Sequence, residues 1–290
     1  MCQDNKPLLR HQGKLLRNEQ LSDSTNLLTI KAPEPARTAR PGQFVQLKTS
    51  HYLRRPIGLM SVDREQGLIQ LGIRRVGPGS NELCDLEPGI TVDLVGPLGT
   101  GFDLGLCDDG ACATAPAHLV TVGGGTGLFP LIYLLEEAVR QGITTTAIIG
   151  FRSPAEAILQ ERMRATAKQC IFASDTGGLD FTGHAGEALT SVLDTLSLRA
   201  EQLLVCACGP VGLLENIALQ CLERKIQCQV SLEARMACGI GVCVGCSIPV
   251  YQQDRGTKTA DSETTYERCC YDGPVFPAAR IVWPSQGGIW

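Results

Sequence analysis

The chain has 290 residues, with 26 Lys and Arg against 30 Asp and Glu for a net charge of −4. That length accommodates two or three domains, and the near balance of charge, without basic runs, excludes an electrostatic nucleic-acid binder. Fourteen cysteines are many, yet too dilute for a small disulfide scaffold; no stretch approaches the 18 apolar residues of a membrane span, and the polar start Met1-Cys2-Gln3-Asp4-Asn5-Lys6-Pro7 is not a secretory signal.

Residues 8–104 read as short β segments between Pro and Gly breaks, at 27–30, 43–47, 68–73 and 91–95. Strands at this spacing without helices between them predict a closed antiparallel barrel. Two stretches in it carry chemistry. In Arg54-Arg55-Pro56-Ile57-Gly58 an arginine fixed by the following proline presents a planar fork suited to paired pyrophosphate oxygens; a solvated arginine pair on a barrel edge is the plain alternative. Gly77-Pro78-Gly79-Ser80-Asn81 opens a short helix over 81–86, where glycines admit a phosphate and free amides receive it. Taken alone, a capped turn explains that stretch as well.

After a linker over 105–117, strands are expected at 118–122, 145–150, 170–174, 203–207 and 227–232. Helices are expected at 128–141, 154–167, 184–196 and 211–225. Alternation of this kind predicts a parallel sheet covered on both faces, with ligands at the carboxyl ends of its strands. Gly123-Gly124-Gly125-Thr126-Gly127 stands there between strand and helix. It lacks the full dinucleotide fingerprint and its ribose-binding acid, the second strand ending instead in Gly150-Phe151-Arg152-Ser153. Cys208-Gly209-Pro210 closes the fourth strand at the same sheet edge, with Pro210 as an ordinary helix start. His184 reads as a helix-start residue; His11, His51 and His118 have no metal-spaced partners. Cys84, Cys107, Cys112, Cys221 and Cys228 read as packing or surface thiols. No acid–base pair or nucleophile triad stands out, so no catalytic side chain is assigned.

The C-terminal stretch is the most specific. Cys238, Cys243 and Cys246 follow the Cys-x4-Cys-x2-Cys spacing of plant-type [2Fe–2S] sites, with Cys269 and Cys270 as candidates for the fourth ligand. Gly239, Gly241 and Gly245 permit the positive-φ turns that wrap a backbone round an inorganic core. Zinc prefers paired Cys-x2–4-Cys knuckles, and adjacent side chains of an extended segment diverge, so one of the twin cysteines is the ligand.

The barrel with Arg-Pro-Ile, the glycine turn and Cys-Gly-Pro together resemble the ferredoxin–NAD(P)+ reductase superfamily. Adding Leu232-Glu233-Ala234-Arg235-Met236-Ala237-Cys238 and Cys270-Tyr271-Asp272-Gly273-Pro274 narrows the resemblance, over about residues 8–282, to electron-transfer subunits of NAD-dependent, type B dihydroorotate dehydrogenases. The resemblance implies three parts: an FAD-binding β-barrel (1–104), an NAD-binding α/β domain (105–230) and a [2Fe–2S] domain (231–290). It implies FAD along Arg55, Pro56, Ile57, Gly58, Gly72, Ile73 and Arg74, its pyrophosphate at Gly79 and Ser80, and NAD between Gly124, Gly125, Thr126 and Cys208, Gly209, Pro210. Cys270 matches the family's Cys-x-Asp-Gly-Pro ending and so becomes the preferred fourth ligand. An FMN-containing, dihydroorotate-oxidising subunit is implied as partner, in a cytoplasmic heterotetramer of two of each that serves pyrimidine biosynthesis. Two departures stand out: Gly58 replaces the family's usual serine, and the interval between Cys246 and Cys270, with its polar run over 252–267, is long and reads as a solvent-exposed excursion. The rivals are a reductase subunit of another complex, of sulfhydrogenase or sulfite reductase type, and a zinc-bearing interaction module.

Overall fold

The computed structural model describes residues 10–105, 115–252 and 263–284. The N-terminal stretch, most of the expected linker with Cys107 and Cys112, and most of the polar excursion lie outside the described residues.

Six strands close the barrel: β1 (Arg10–Ser22), β2 (Thr25–Lys31), β3 (Phe44–Leu47), β4 (Arg55–Asp63), β5 (Leu68–Arg74) and β6 (Thr91–Leu98), with helix α1 (Pro33–Thr38) after β2 and helix α2 (Pro78–Cys84) after β5. Their order is β1-β2-β5-β4-β3-β6, and every pairing is antiparallel, including β6 with β1. Side chains alternate between inside and outside. Leu28, Ile30, Val45, Leu47, Leu59, Ile69, Leu71 and Leu94 fill the interior, and each such burial is worth about 1.5–3 kcal/mol. The outward residues of β5 include Gly72 and Arg74, which face the rest of the molecule. β1 escapes sequence reading because its run, RHQGKLLRNEQLS, is mostly polar and exposed. α2 starts three residues earlier than expected, since Pro78 already has the φ of a first helical turn.

The α/β part follows as β7 (His118–Gly124), α3 (Leu128–Arg140), β8 (Thr144–Phe151), α4 (Gln160–Thr166), β9 (Gln169–Ser174), β10 (Phe181–Thr182), α5 (Ala185–Thr195), β11 (Leu203–Cys208), α6 (Val211–Glu223) and β12 (Gln227–Ser231). These strands pair in parallel in the order β10-β9-β8-β7-β11-β12. Helices α3 and α4 pack on one face through Leu131, Leu135 and Met163, and α5 and α6 on the other through Leu189, Leu214 and Ile217. Covered on both sides, β7 and β11 are buried almost throughout. The helix expected over 154–167 is shorter than that: one 3-10 turn at Pro154–Glu156 precedes α4, and Leu159, at φ 55°, interrupts the path between them.

β13 (Ser247–Tyr251) and β14 (Thr264–Arg268) form a hairpin, after which β15 (Val275–Pro277) returns to pair antiparallel with β12. The large sheet therefore ends on an antiparallel edge strand supplied by the C-terminal region. That region also touches the barrel, the Thr100 amide donating to the Gly273 carbonyl at 2.6 Å. Helix α3 links barrel and sheet: the Tyr133 hydroxyl donates to the Ala39 carbonyl at 2.9 Å, and Ser61 donates to Glu136 at 2.6 Å.

Candidate functional site

A 510 Å³ cavity runs between the barrel's outer face and the carboxyl edge of the sheet. The barrel residues that the resemblance implies for FAD all line it: Arg55, Pro56, Ile57 and Gly58 from β4, Gly72, Ile73 and Arg74 from β5, and Gly79 and Ser80 from α2; Arg54 and Asn81 do not. The two adjacent arginines divide the work. Arg54 turns to Asp93, 2.8 Å away, and to that residue's carbonyl, which makes it a structural tie. Arg55 faces the cavity, braced by the Leu53 carbonyl at 2.9 Å, and its guanidinium lies where a Cβ on Gly79 would be. Glycine at 79 is thus what lets the arginine and the start of α2 share one corner of the cavity. Ser80 plays a different part from the one its position suggests: its hydroxyl accepts the Val76 and Gly77 amides at 2.9 and 3.1 Å, so it shapes the turn. Gly72 is flat against the Phe129 ring, whereas a Cβ at Gly58 would meet nothing within 4 Å.

The glycine turn lines a second cavity, of 380 Å³, together with Gly209 and Pro210. Gly125, at φ 53°, makes the turn, and Gly127 passes so close to the Cys208 carbonyl that no side chain fits. Arg74, Thr126 and Glu233 line both cavities, so the two meet. Cys208 faces the first cavity; burial pushes its thiol up to about 12, which keeps it protonated. Glu233 was not singled out by sequence reading, nor was Phe129. Glu233 is exposed at the mouth of the cavities, yet protein crowded about its carboxyl raises it above its usual range, against the pull of Arg74. Arg152, Glu156, Asp175 and His184 complete the second cavity. His184 caps α5, its amide bonded to Glu187 at 2.9 Å and its ring to Asp175 at 2.8 Å.

Next to the first cavity stands the cysteine loop, joined to it through Met236, which lines the cavity two residues ahead of Cys238. Its sulfurs are approached by backbone amides: Ile240 and Cys243 toward Cys238 at 3.5 and 3.4 Å, Gly241 toward Cys270 at 3.1 Å, and Cys270 toward Cys246 at 3.4 Å. The amide of Cys243 points to the Cys238 sulfur and that of Cys270 to the Cys246 sulfur, so the cysteines fall into two pairs, Cys238 with Cys243 and Cys246 with Cys270. A two-iron core divides four thiolates in this way, two to each metal. Among the described residues no three Cys, His, Asp or Glu side chains are arranged round a single ion. Partial burial works against the Cys238 thiolate, but the Ile240, Cys243 and Val242 amides and the Cys243 thiol outweigh it and bring the thiol down to about 6. Gly239 and Gly241 have φ of 68° and 82°. Val244 adopts 51°, a costly conformation for a β-branched residue that the surrounding loop imposes. Cys269 faces away, its thiol donating to the Leu232 carbonyl at 3.4 Å in full burial.

Residues 12–102 match the family described as oxidoreductase FAD-binding domain, and residues 233–282 match the iron–sulfur cluster binding domain of dihydroorotate dehydrogenase B. A protein of Geobacillus kaustophilus named dihydroorotate dehydrogenase B (NAD(+)), electron transfer subunit, is 34% identical over 266 residues, 90% of this chain and 94% of its own. The protein of that name from Desulforamulus reducens is 30% identical over 276 residues, 93% and 97% of the two chains. This chain belongs to the dihydroorotate dehydrogenase B electron transfer subunit family. Its fold is shared more widely. An NADH-dependent reduced ferredoxin–NADP oxidoreductase chain superposes with a TM-score of 0.78 at 22% identity, covering 97% of this chain and 92% of that one. A Neisseria gonorrhoeae ferredoxin NADP+ reductase gives 0.61 at 19%, covering 74% and 91%. Of the family's two matched domains, one contains the Arg55 and Gly79 corner and the other the cysteine loop, so family and geometry meet on the same residues. In sequence, Glu233 is visible only as part of the stretch that identifies the family. Phe129, one more apolar residue of an apolar helix, gives no signal.

Proposed function

We propose that this chain passes electrons from the FMN of a dihydroorotate-oxidising partner through a [2Fe–2S] cluster and FAD to NAD+, in pyrimidine biosynthesis. The observation that carries the reading is the serial contact of three sites. The cysteine loop adjoins the first cavity at Met236, and the first cavity adjoins the second at Arg74, Thr126 and Glu233. A flavin accepts single electrons and gives up a hydride, which is the conversion such a series needs.

The chain's residues take the following roles. Cys238 and Cys243 hold one iron, Cys246 and Cys270 the other. Arg55 and the amides at the start of α2 receive the FAD pyrophosphate, with Ser80 stabilising that turn. Gly58, Gly72, Ile73 and Arg74 lie along the flavin. Gly124, Gly125 and Thr126, packed beside Gly209 and Pro210, flank the NAD site, and Cys208 borders the flavin. Glu156 and Asp175 in the second cavity disfavour a 2′-phosphate beside Arg152, in keeping with NAD. The parts are divided as 1–104, 105–230 and 231–290, with the last strand of the third completing the sheet of the second. Val242, Val244 and Tyr271 stand exposed round the cysteine loop, an apolar rim suited to the partner in a complex of two of each subunit. No described helix is long and apolar enough to cross a membrane, and the described cysteines are all free, in keeping with a reducing cytoplasm.

Anaerobically purified chain should show flavin bands and broad iron–sulfur absorption, and should reduce NAD+ with dihydroorotate only when the FMN-bearing partner is added. Colourless protein, or an active complex with a different electron donor, overturns the reading. Arg55→Ala should weaken FAD binding by roughly ten- to a hundredfold, the worth of about 1.5–3 kcal/mol for hydrogen bonds to a charged group; flavin titration of stripped protein measures it. An unchanged affinity removes Arg55 from the site.

A further inference from the structure

Gln46 departs from the rule that buried amides find partners. Along β3, Val45 and Leu47 point into the barrel interior, so Phe44 and Gln46 point outward. Phe44 lines the flavin cavity. Two residues further on the same face, Gln46 is 1% exposed, and neither its Oε1 nor its Nε2 has a hydrogen-bond partner. The amide lies against the cysteine loop: its Nε2 fills the space that a Cβ on Gly239 would take, directly after Cys238. Leaving a buried polar group unpaired costs about 1–3 kcal/mol. A leucine would fill the same place without that cost, so the amide calls for an acceptor that the protein's own atoms do not supply.

We propose that Gln46 Nε2 donates a hydrogen bond to a sulfur atom of the [2Fe–2S] cluster on its Cys238 side and thereby raises the cluster's reduction potential. The proposal rests on the functional reading above, in which the loop holds that cluster. Sulfide and thiolate sulfurs are acceptors, and the loop's own amides already converge on the cysteine sulfurs. One electron added to the cluster makes it more negative by one charge. An N–H···S bond is then stronger to the reduced form, so a fixed donor favours reduction. Gln46 adds a donor from outside the loop, on the strand that also walls the flavin cavity. The barrel thus sets how readily the cluster accepts electrons as well as where the flavin lies.

The test is a redox titration of the complete complex followed by electron paramagnetic resonance. Gln46→Leu should lower the ratio of reduced to oxidised cluster roughly tenfold at a fixed potential, equivalent to about 59 mV for a one-electron couple. Gln46→Glu keeps the shape but exchanges the donor for an acceptor; it should lower the ratio further, and more at high pH than at low. Wild-type protein labelled with 15N in the glutamine side-chain amide should show a nitrogen coupling to the reduced cluster in pulsed resonance spectra, which decides the matter even where a variant fails to assemble. Variants that carry the cluster at the wild-type potential, or labelled wild-type cluster without that coupling, overturn the proposal. Wild-type protein without a cluster would instead overturn the functional reading.

Discussion

Cys270→Ser should purify without the broad visible absorption of an iron–sulfur centre, while Cys269→Ser should keep it. The two thiols are neighbours in sequence and opposites in surroundings. Cys270 receives the Gly241 amide at 3.1 Å and its own amide points to the Cys246 sulfur, so the turn after β14 brings it against the loop that carries the other sulfurs. Cys269 points to the Leu232 carbonyl, and burial pushes its thiol well up, so it remains a protonated packing group. A serine at 269 can still donate to that carbonyl, and the exchange should cost about 1 kcal/mol. A serine at 270 offers an alkoxide in place of a thiolate to an iron that favours soft sulfur. The consequences for electron flow separate as well. Cys270→Ser should keep FAD and go on oxidising NADH with a dye acceptor, since neither cavity is touched. Its transfer from the partner subunit should fall at least about a hundredfold, since disturbing even the groups that support a metal's ligands costs about 10–100-fold. Iron analysis and the two assays together check this. A cluster lost from Cys269→Ser and retained in Cys270→Ser would move the fourth ligand to 269.

What sequence could reveal, and what it could not, follows from which interactions are local. The Cys-x4-Cys-x2-Cys spacing is legible because one loop must deliver three sulfurs, and the glycine turn because a strand-to-helix reversal has few solutions. Arg55 could be singled out by the proline that follows it, but the tie made by Arg54 could not be read, since its partner Asp93 stands 39 positions away. Ser80 looked like a phosphate ligand because a hydroxyl at a helix start serves either purpose; only the Val76 and Gly77 amides show that it is engaged. β1 was invisible because a strand held at both edges of a closed barrel needs little apolar side chain of its own. β15 was invisible because three residues carry no period, and its place is set by β12, more than forty residues earlier. Gln46 reads in sequence as a polar residue between apolar ones, which ordinarily means an exposed strand face. Here that face is covered by a loop almost two hundred residues away.

The same dependence on distant contact governs the second large effect, at Gly127. Gly127→Ala should lower stability by about 3 kcal/mol, the upper end for a forced contact in a packed interior, and with it abolish tight NAD binding. The added Cβ would run into the Cys208 carbonyl and come within 2.9 Å of the Gly209 amide nitrogen. Neither can retreat, because β11 is held on both sides, Cys208 aligned with Gly123 of β7 and Ser231 of β12. Relief has to come from α3, whose first turn carries Phe129 against Gly72 and whose second carries the Tyr133 bond to Ala39. Lifting that helix disturbs both cavities and the contact between sheet and barrel at once. Gly125→Ala is the control. Its φ of 53° is unfavourable for alanine, but a Cβ there meets nothing within 4 Å, so about 1 kcal/mol is expected. Thermal melting should separate the two, with a fall of roughly 6–12 °C for Gly127→Ala and a third of that for Gly125→Ala. Gly127 itself sits at φ −60°, open to any residue, so equal shifts would mean that the start of α3 gives way to a Cβ and that the closeness of helix and strand does not depend on this glycine.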